Sequence, residues 1–286
     1  MPSIINGSSG FVQVSIKPTI SIFYSVRGLL DGTKPIILLS SSLAANTHLW
    51  DDFVEAFETE YTIITYDARF HGQSPLCSDP NFDYSIGHTM EELTNDVVML
   101  LDHLKVNKVA AFVGLSIGAA VGLIFGAMHP ERVDRVLVVG TRATSNPDSN
   151  ANHTTRINFG YKNGPNALGR QSIARWFDED WTAANPGGIA HAEKVYCHQS
   201  IEGYEASIAA LRVLDLNPYA EEIGKKGHGA KFVFIAGELD GTVPQESQAL
   251  ADKTGSNVIV VPVSGHITPI QMPEIFHGIV RKAFEA

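Results

Sequence analysis

The sequence predicts an α/β protein: a mostly parallel, eight-stranded sheet flanked by helices, with one inserted helical segment. Three observations predict it. Short apolar runs such as Pro35-Ile36-Ile37-Leu38-Leu39 and Val109-Ala110-Ala111-Phe112-Val113 suit strands buried on both faces. Those runs alternate with stretches whose apolar residues recur at helical spacing, the order expected of a parallel sheet with helices on both sides. The alternation stops at about residue 141 and returns after about 213, and the stretch between is rich in Asn, Gly, Arg and His with no strand run.

The elements justify themselves in order. Residues 11–16 and 19–26 alternate apolar and polar side chains, as paired antiparallel strands do. Asp31-Gly32 signals a turn. The buried run from Pro35 leads into a small polar loop, Ser40-Ser41-Ser42-Leu43-Ala44-Ala45. Trp50, Phe53, Val54 and Phe57 then fall at helical spacing. A strand over 61–66 precedes the loop Asp67-Ala68-Arg69-Phe70-His71-Gly72-Gln73-Ser74-Pro75. Thr89 with Glu92 forms a capping box that opens a helix through Val97, Leu100, Leu101 and Leu104. Strands follow over 109–113 and 133–139. Short helical pieces over 171–177 and 205–214 mark the insertion. A strand over 231–236, a helix over 244–253, a strand over 258–262 and a last helix over 271–285 complete the chain. The expected division is a core of 1–140 and 214–286 with a helical cap, or lid, of 141–213.

Of 286 residues, 44% are hydrophobic and 18% charged, enough for one large domain with a sizeable core. The net charge of -10 and the lack of a Lys/Arg cluster argue against a nucleic-acid partner. No apolar run approaches the ~20 residues of a membrane span, and the first residues have neither the basic nor the apolar segment of a signal peptide. Cys77 and Cys197 carry no disulfide pattern. The expectation is a cytoplasmic protein without a membrane partner; the oligomeric state is left open.

The chemistry centres on Gly114-Leu115-Ser116-Ile117-Gly118, set between an apolar strand and a small-residue helical run. That context makes G-x-S-x-G a strained strand-to-helix turn presenting Ser116 as a nucleophile. Side chains two before and two after the serine would collide, which is why Gly114 and Gly118 stand there. The Ile117 amide lies at a helix N-terminus and suits an oxyanion. A serine nucleophile needs a base and an orienting acid, here in chain order Ser, acid, His. Asp240, in Gly237-Glu238-Leu239-Asp240, is the expected acid, with Glu238 the alternative; His266, in Gly265-His266, is the expected base. The second oxyanion donor is expected from the Ser40–Ala45 loop, at the Leu43 amide, with hydroxyls of Ser41 or Ser42 as possible helpers. His71 and His129 have plainer roles, as a packed turn residue and a helix-end residue.

These motifs, with His129-Pro130-Glu131-Arg132-Val133 and Arg175-Trp176-Phe177, resemble α/β-hydrolases of the 3-oxoadipate enol-lactonase type over about residues 20–280. The resemblance implies hydrolysis of a small lactone or carboxylic ester between sheet and cap, by a Ser-His-Asp triad through an acyl-enzyme, with no metal or organic cofactor. Three departures bear on the substrate: Phe70 and Ala119 stand where the family usually has glycine, and Arg142 where small uncharged residues are common. Arg142 has two expected states, a salt bridge or surface position at the cap hinge, or a guanidinium facing the pocket; in the second, with Ser42, Trp50 and Trp176, it contacts substrate and favours a small anionic lactone. Two alternatives differ in class. A C–C bond hydrolase acting on a vinylogous diketone would usually carry Asn at Leu115. A hydrolase-fold receptor would bind a small lactone and turn it over slowly.

Overall fold

The computed structural model describes residues 7–145 and 147–285. Eight strands form one sheet: β1 (Gly7–Ile16), β2 (Thr19–Arg27), β3 (Ile36–Ser40), β4 (Thr62–Tyr66), β5 (Val109–Leu115), β6 (Val133–Val139), β7 (Phe232–Gly237) and β8 (Asn257–Val261). Their order is β1-β2-β4-β3-β5-β6-β7-β8. β1 and β2 are antiparallel to their neighbours, and β3 to β8 are parallel throughout. The expected eight-stranded, mostly parallel sheet is therefore present.

The pattern of side chains explains the layers. β4 is buried at every position and β3 at all but its first, so both faces of the sheet must be covered. The helices α1 (Asp51–Phe57) and α12 (Pro273–Glu285) pack together, as do α2 (Met90–His103), α3 (Ile117–Met128), α9 (Asn217–Lys225) and α10 (Val243–Thr254) in a row. The expected capping box at Thr89 and Glu92 is formed on both sides. α3 is apolar around its whole circumference because it runs against β5 and β6 and is covered by α2 and α9. α9 and the short α11 (Thr268–Gln271) were not expected from the sequence.

Between β6 and β7 lie five further helices: α4 (Pro147–Asn163), α5 (Pro165–Trp176), α6 (Glu179–Ala184), α7 (Pro186–Tyr196) and α8 (Ile201–Arg212). Chain entry and exit run side by side. Ser145 N–H donates to Leu214 O at 2.8 Å, Leu216 N–H donates to Ala143 O at 2.8 Å, and Thr144 and Asp215 form an antiparallel bridge. Among the described residues, no helix is long and apolar enough to cross a membrane.

The topology chooses the site. The chain leaves β3 for β4 on one side, then crosses back over β3 to β5. Loops after β3 and β5 consequently leave the sheet in opposite directions and open a crevice at its carboxyl edge, where open α/β sheets bind ligands.

Candidate active site

Ser116 ends β5 and precedes α3 with φ 58° and ψ -116°. A side chain rarely holds such a conformation. Here it is fixed on both sides: Ser116 N–H donates to Val139 O at 2.8 Å, and Ser116 O receives the amides of Ala119 and Ala120 at 3.0 and 3.1 Å. The glycines explain how the turn closes. A Cβ on Gly114 would lie 2.2 Å from Gly118 O, and one on Gly118 would lie 2.4 Å from Ser40 O. The elbow and the loop after β3 are thus in backbone contact.

Asp240 sits in the turn after β7 and His266 in the loop after β8. His266 Nδ1 and Asp240 Oδ2 are 2.7 Å apart. Glu238, the alternative acid, points elsewhere: its Oε2 accepts the Val263 amide at 3.0 Å and so supports the histidine loop. Val263 needs that support, because it is a β-branched residue at φ 57°. Gln271 braces the same loop, accepting Gly265 N–H at 2.6 Å and donating to Asp178 Oδ2 at 3.1 Å. A Cβ on Gly265 would meet Trp176 O at 2.3 Å, so helix α5 also bears on this loop.

Ser116, Asp240 and His266 border one cavity of about 400 Å³, together with Leu43 and Ile117. The Ile117 amide is at the first position of α3, where no intrahelical acceptor exists. The Leu43 amide has no protein acceptor among the described residues. A serine on a strained turn, an imidazole bonded to a carboxylate and two backbone N–H groups therefore border one space.

The α/β-hydrolase fold model matches residues 35–273, which includes every one of these groups. The chain belongs to the α/β-hydrolase family. It is a hydrolase, and its relatives are enzymes of that class. 3-Oxoadipate enol-lactonase 2 of Acinetobacter baylyi is 28% identical over 262 residues, covering 91% of this chain and 92% of that protein. A protein of Pseudomonas savastanoi named RutD, provisionally assigned as a carbamate hydrolase, is 26% identical over 88% of this chain and 94% of its own. The crystal structure of the enol-lactonase from Burkholderia xenovorans superimposes with a TM-score of 0.83 at 27% identity, over 97% of this chain and all of that one.

Four side chains were expected to touch substrate in this α/β-hydrolase. Trp176 does border the cavity, its ring 5.8 Å from that of His266. Trp50 does not. It is fully buried, packs on Phe53 and Phe276 and donates its Nε1–H to Ser41 Oγ at 3.1 Å, so it belongs to the core beneath the loop. Ser42 borders the cavity, but its hydroxyl is engaged with Tyr196 OH at 2.8 Å, tying the loop to α7. Arg142 also borders the cavity and at the same time pairs with Glu246 at 3.4 Å. Glu246 additionally takes the Ala143 amide at 2.8 Å, so this pair anchors the neck of the helical segment.

Phe70 takes the positive φ, 65°, that glycine usually supplies in this loop. Its ring lies against Phe82, Tyr84 and His88, outside the cavity. His71 is buried, with Nδ1 2.8 Å from Arg69 O, as a packed turn residue would be.

Among the charged and titratable residues of the cavity, sequence reasoning missed His153, Arg156 and Arg175. The surrounding protein, with Arg156 nearby, lowers the Arg175 guanidinium to about 10, although much of its surface is still open to solvent. Burial, then Arg156 and three further arginines, lowers His153 to about 4, which leaves it neutral near pH 7. Arg175 was in view as part of the Arg-Trp-Phe motif; its direction was not.

Proposed function

We propose that the chain hydrolyses a small lactone or carboxylic ester through an acyl-enzyme. The observation that carries this reading is the 2.7 Å contact between His266 and Asp240, beside a serine held at φ 58° on the same cavity. Ser116 Oγ attacks the carbonyl carbon while His266 Nε2 takes its proton. Asp240 holds the imidazole tautomer and balances the imidazolium. The amides of Leu43 and Ile117 receive the oxyanion, each contributing on the order of 3 kcal/mol to the transition state. His266 then protonates the departing alkoxide, the C–O bond breaks, and an acyl-serine remains. Water, deprotonated by His266, attacks that ester, and the proton returns to Ser116 as the acid leaves.

In this reading helices α4 to α8 are a cap, the segment 141–213 expected from the sequence, and the rest is the catalytic core. The lactone class is favoured by likeness to enol-lactonases over most of both chains. Arg142 and Trp176 face the substrate, with the Arg142 charge balanced in part by Glu246.

A panel of small lactones and aryl esters tests the activity. Turnover of at least one, lost in Ser116→Ala, and peptide mapping of an organophosphorus label to Ser116 are the expected results. Label on another residue, or undiminished turnover by the alanine variant, overturns the assignment.

A further inference from the structure

The cavity has an unbalanced charge. Its lining holds three guanidiniums, from Arg142, Arg156 and Arg175, and one carboxylate, Asp240. Asp240 is bonded to His266, and Arg142 is paired with Glu246. Arg156 and Arg175 have no carboxylate within ion-pair distance among the described residues, although the chain carries 31 acidic residues against 21 basic ones.

That placement is unfavourable in the empty protein. Two like charges line one cavity, Arg156 half-buried and Arg175 with much of its surface exposed, and each disfavours the other. Arg175 rests over the Trp176 ring, 5.2 Å from its centroid, and the Arg156 guanidinium lies near the Tyr204 hydroxyl. Both partners are neutral, so they orient the guanidiniums without cancelling their charge. His153, which lines the same cavity, has a buried Nδ1 with no partner. Thr144, Ser145 and Asn152 give the same wall further polar groups. An ordinary apolar ester would bury these groups against nothing; a doubly negative group would satisfy them.

We infer that Arg156 and Arg175 form a dianion subsite, so that the substrate is a lactone or ester whose non-reacting arm carries two negative charges, as two carboxylates or as one phosphate. The guanidiniums set the number two: Arg142 is paired with Glu246, Asp240 is committed to His266, and Arg156 and Arg175 are the two that remain without a carboxylate. Planar guanidiniums bind carboxylate and phosphate oxygens in forked pairs. The identification of the reacting bond rests on the hydrolase reading above; the subsite itself does not.

The test separates the two. Ser116→Ala protein is titrated calorimetrically with succinate, glutarate and inorganic phosphate, and with monomethyl and dimethyl succinate. Tightest binding by a dicarboxylate or by phosphate is expected, and whichever wins identifies the arm. With the wild type, kcat/KM is compared for esters bearing two, one and no negative charges. Arg156→Gln and Arg175→Gln should each lower the dianionic-to-neutral ratio by about ten- to hundredfold, the worth of a charge-assisted bond. Circular dichroism establishes that each variant is folded. Should a glutamine variant fail to fold, Arg→Lys at that position and the titration of Ser116→Ala protein still decide. Dimethyl succinate binding as tightly as succinate and phosphate overturns the subsite. If dianions bind but no ester or lactone of any charge is cleaved, the subsite stands and the hydrolase reading falls.

Discussion

On the sheet side of the cavity, Ser116, Ile117 and Gly140 sit on turns leaving buried strands, held by backbone hydrogen bonds, and the elbow is closed by Gly114 and Gly118 in contacts too close for a Cβ. On the helical side, Arg156 and Arg175 line the cavity from α4 and α5. The first wall fixes atoms through the main chain, so that its geometry survives most changes of side chain. The second places charges at the ends of long side chains, so that a single substitution changes what it binds. In the proposed function, reaction chemistry belongs on the first wall and selectivity on the second.

The largest effects should fall on the sheet wall. Ser116→Ala should lower kcat by about 10⁴–10⁶-fold, with His266→Ala close behind and the double variant little worse than either. Steady-state kinetics that found the two losses additive would break the picture of one machine. Next, Gly118→Ala should destabilise the protein by about 1–3 kcal/mol, because its Cβ must push the Ser40 carbonyl. Chemical denaturation would measure it, and an unchanged midpoint would mean that the contact relaxes freely.

The seam between the walls should respond to acid. His88 precedes α2, its Nε2 lies 3.3 Å from Ser207 Oγ on α8, and its Nδ1 has no partner. Burial foremost, then the charges of Arg69 and His71, push its pKa down to about 3. Below the ordinary value of about 6.5 the unfolded chain takes up a proton that the folded chain refuses. Stability should therefore fall as pH drops from about 6.5 toward 3, by up to about 1.4 kcal/mol per unit from this residue, and should not change through it above 6.5. Denaturation of wild type and His88→Gln across that range should show a shallower slope in the variant; equal slopes would remove His88 from the account. The smallest effect concerns the link from loop to cap. Tyr196→Phe removes the bond to Ser42 and should cost about 0.5–1.5 kcal/mol, with a modest fall in kcat if the Leu43 amide shifts.

How far these features were legible follows from their range along the chain. The elbow announces itself within five residues, and the capping box at Thr89 within four. Asp240 and His266 are distant in sequence, yet the chain order of an α/β sheet assigns each to the turn after a strand. Trp50 was misplaced although the helical spacing of Trp50, Phe53 and Phe57 was itself a core signal. α9 begins at Asn217-Pro218, a helix-start signal, with Ala220 and Ile223 at helical spacing on its buried face, so this helix was legible and was passed over. Arg156 and Arg175 were illegible for a different reason. α4 is polar around most of its surface, so no periodicity says which side faces inward. That direction is set only when five helices pack against one another and against the sheet.

The neck has a further consequence. The crossing strands at Ala143–Ser145 and Leu214–Leu216 are bonded to each other, so the polypeptide returns to the place it left. Topologically the five helices are a detour, and the sheet closes with or without them. Evolution can therefore lengthen, shorten or exchange this detour as one unit, with the catalytic frame unaware of the change. Protein engineers have the same freedom: a foreign segment whose ends meet within the span of one antiparallel pair could be spliced between Thr144 and Asp215 to give this frame a different appetite.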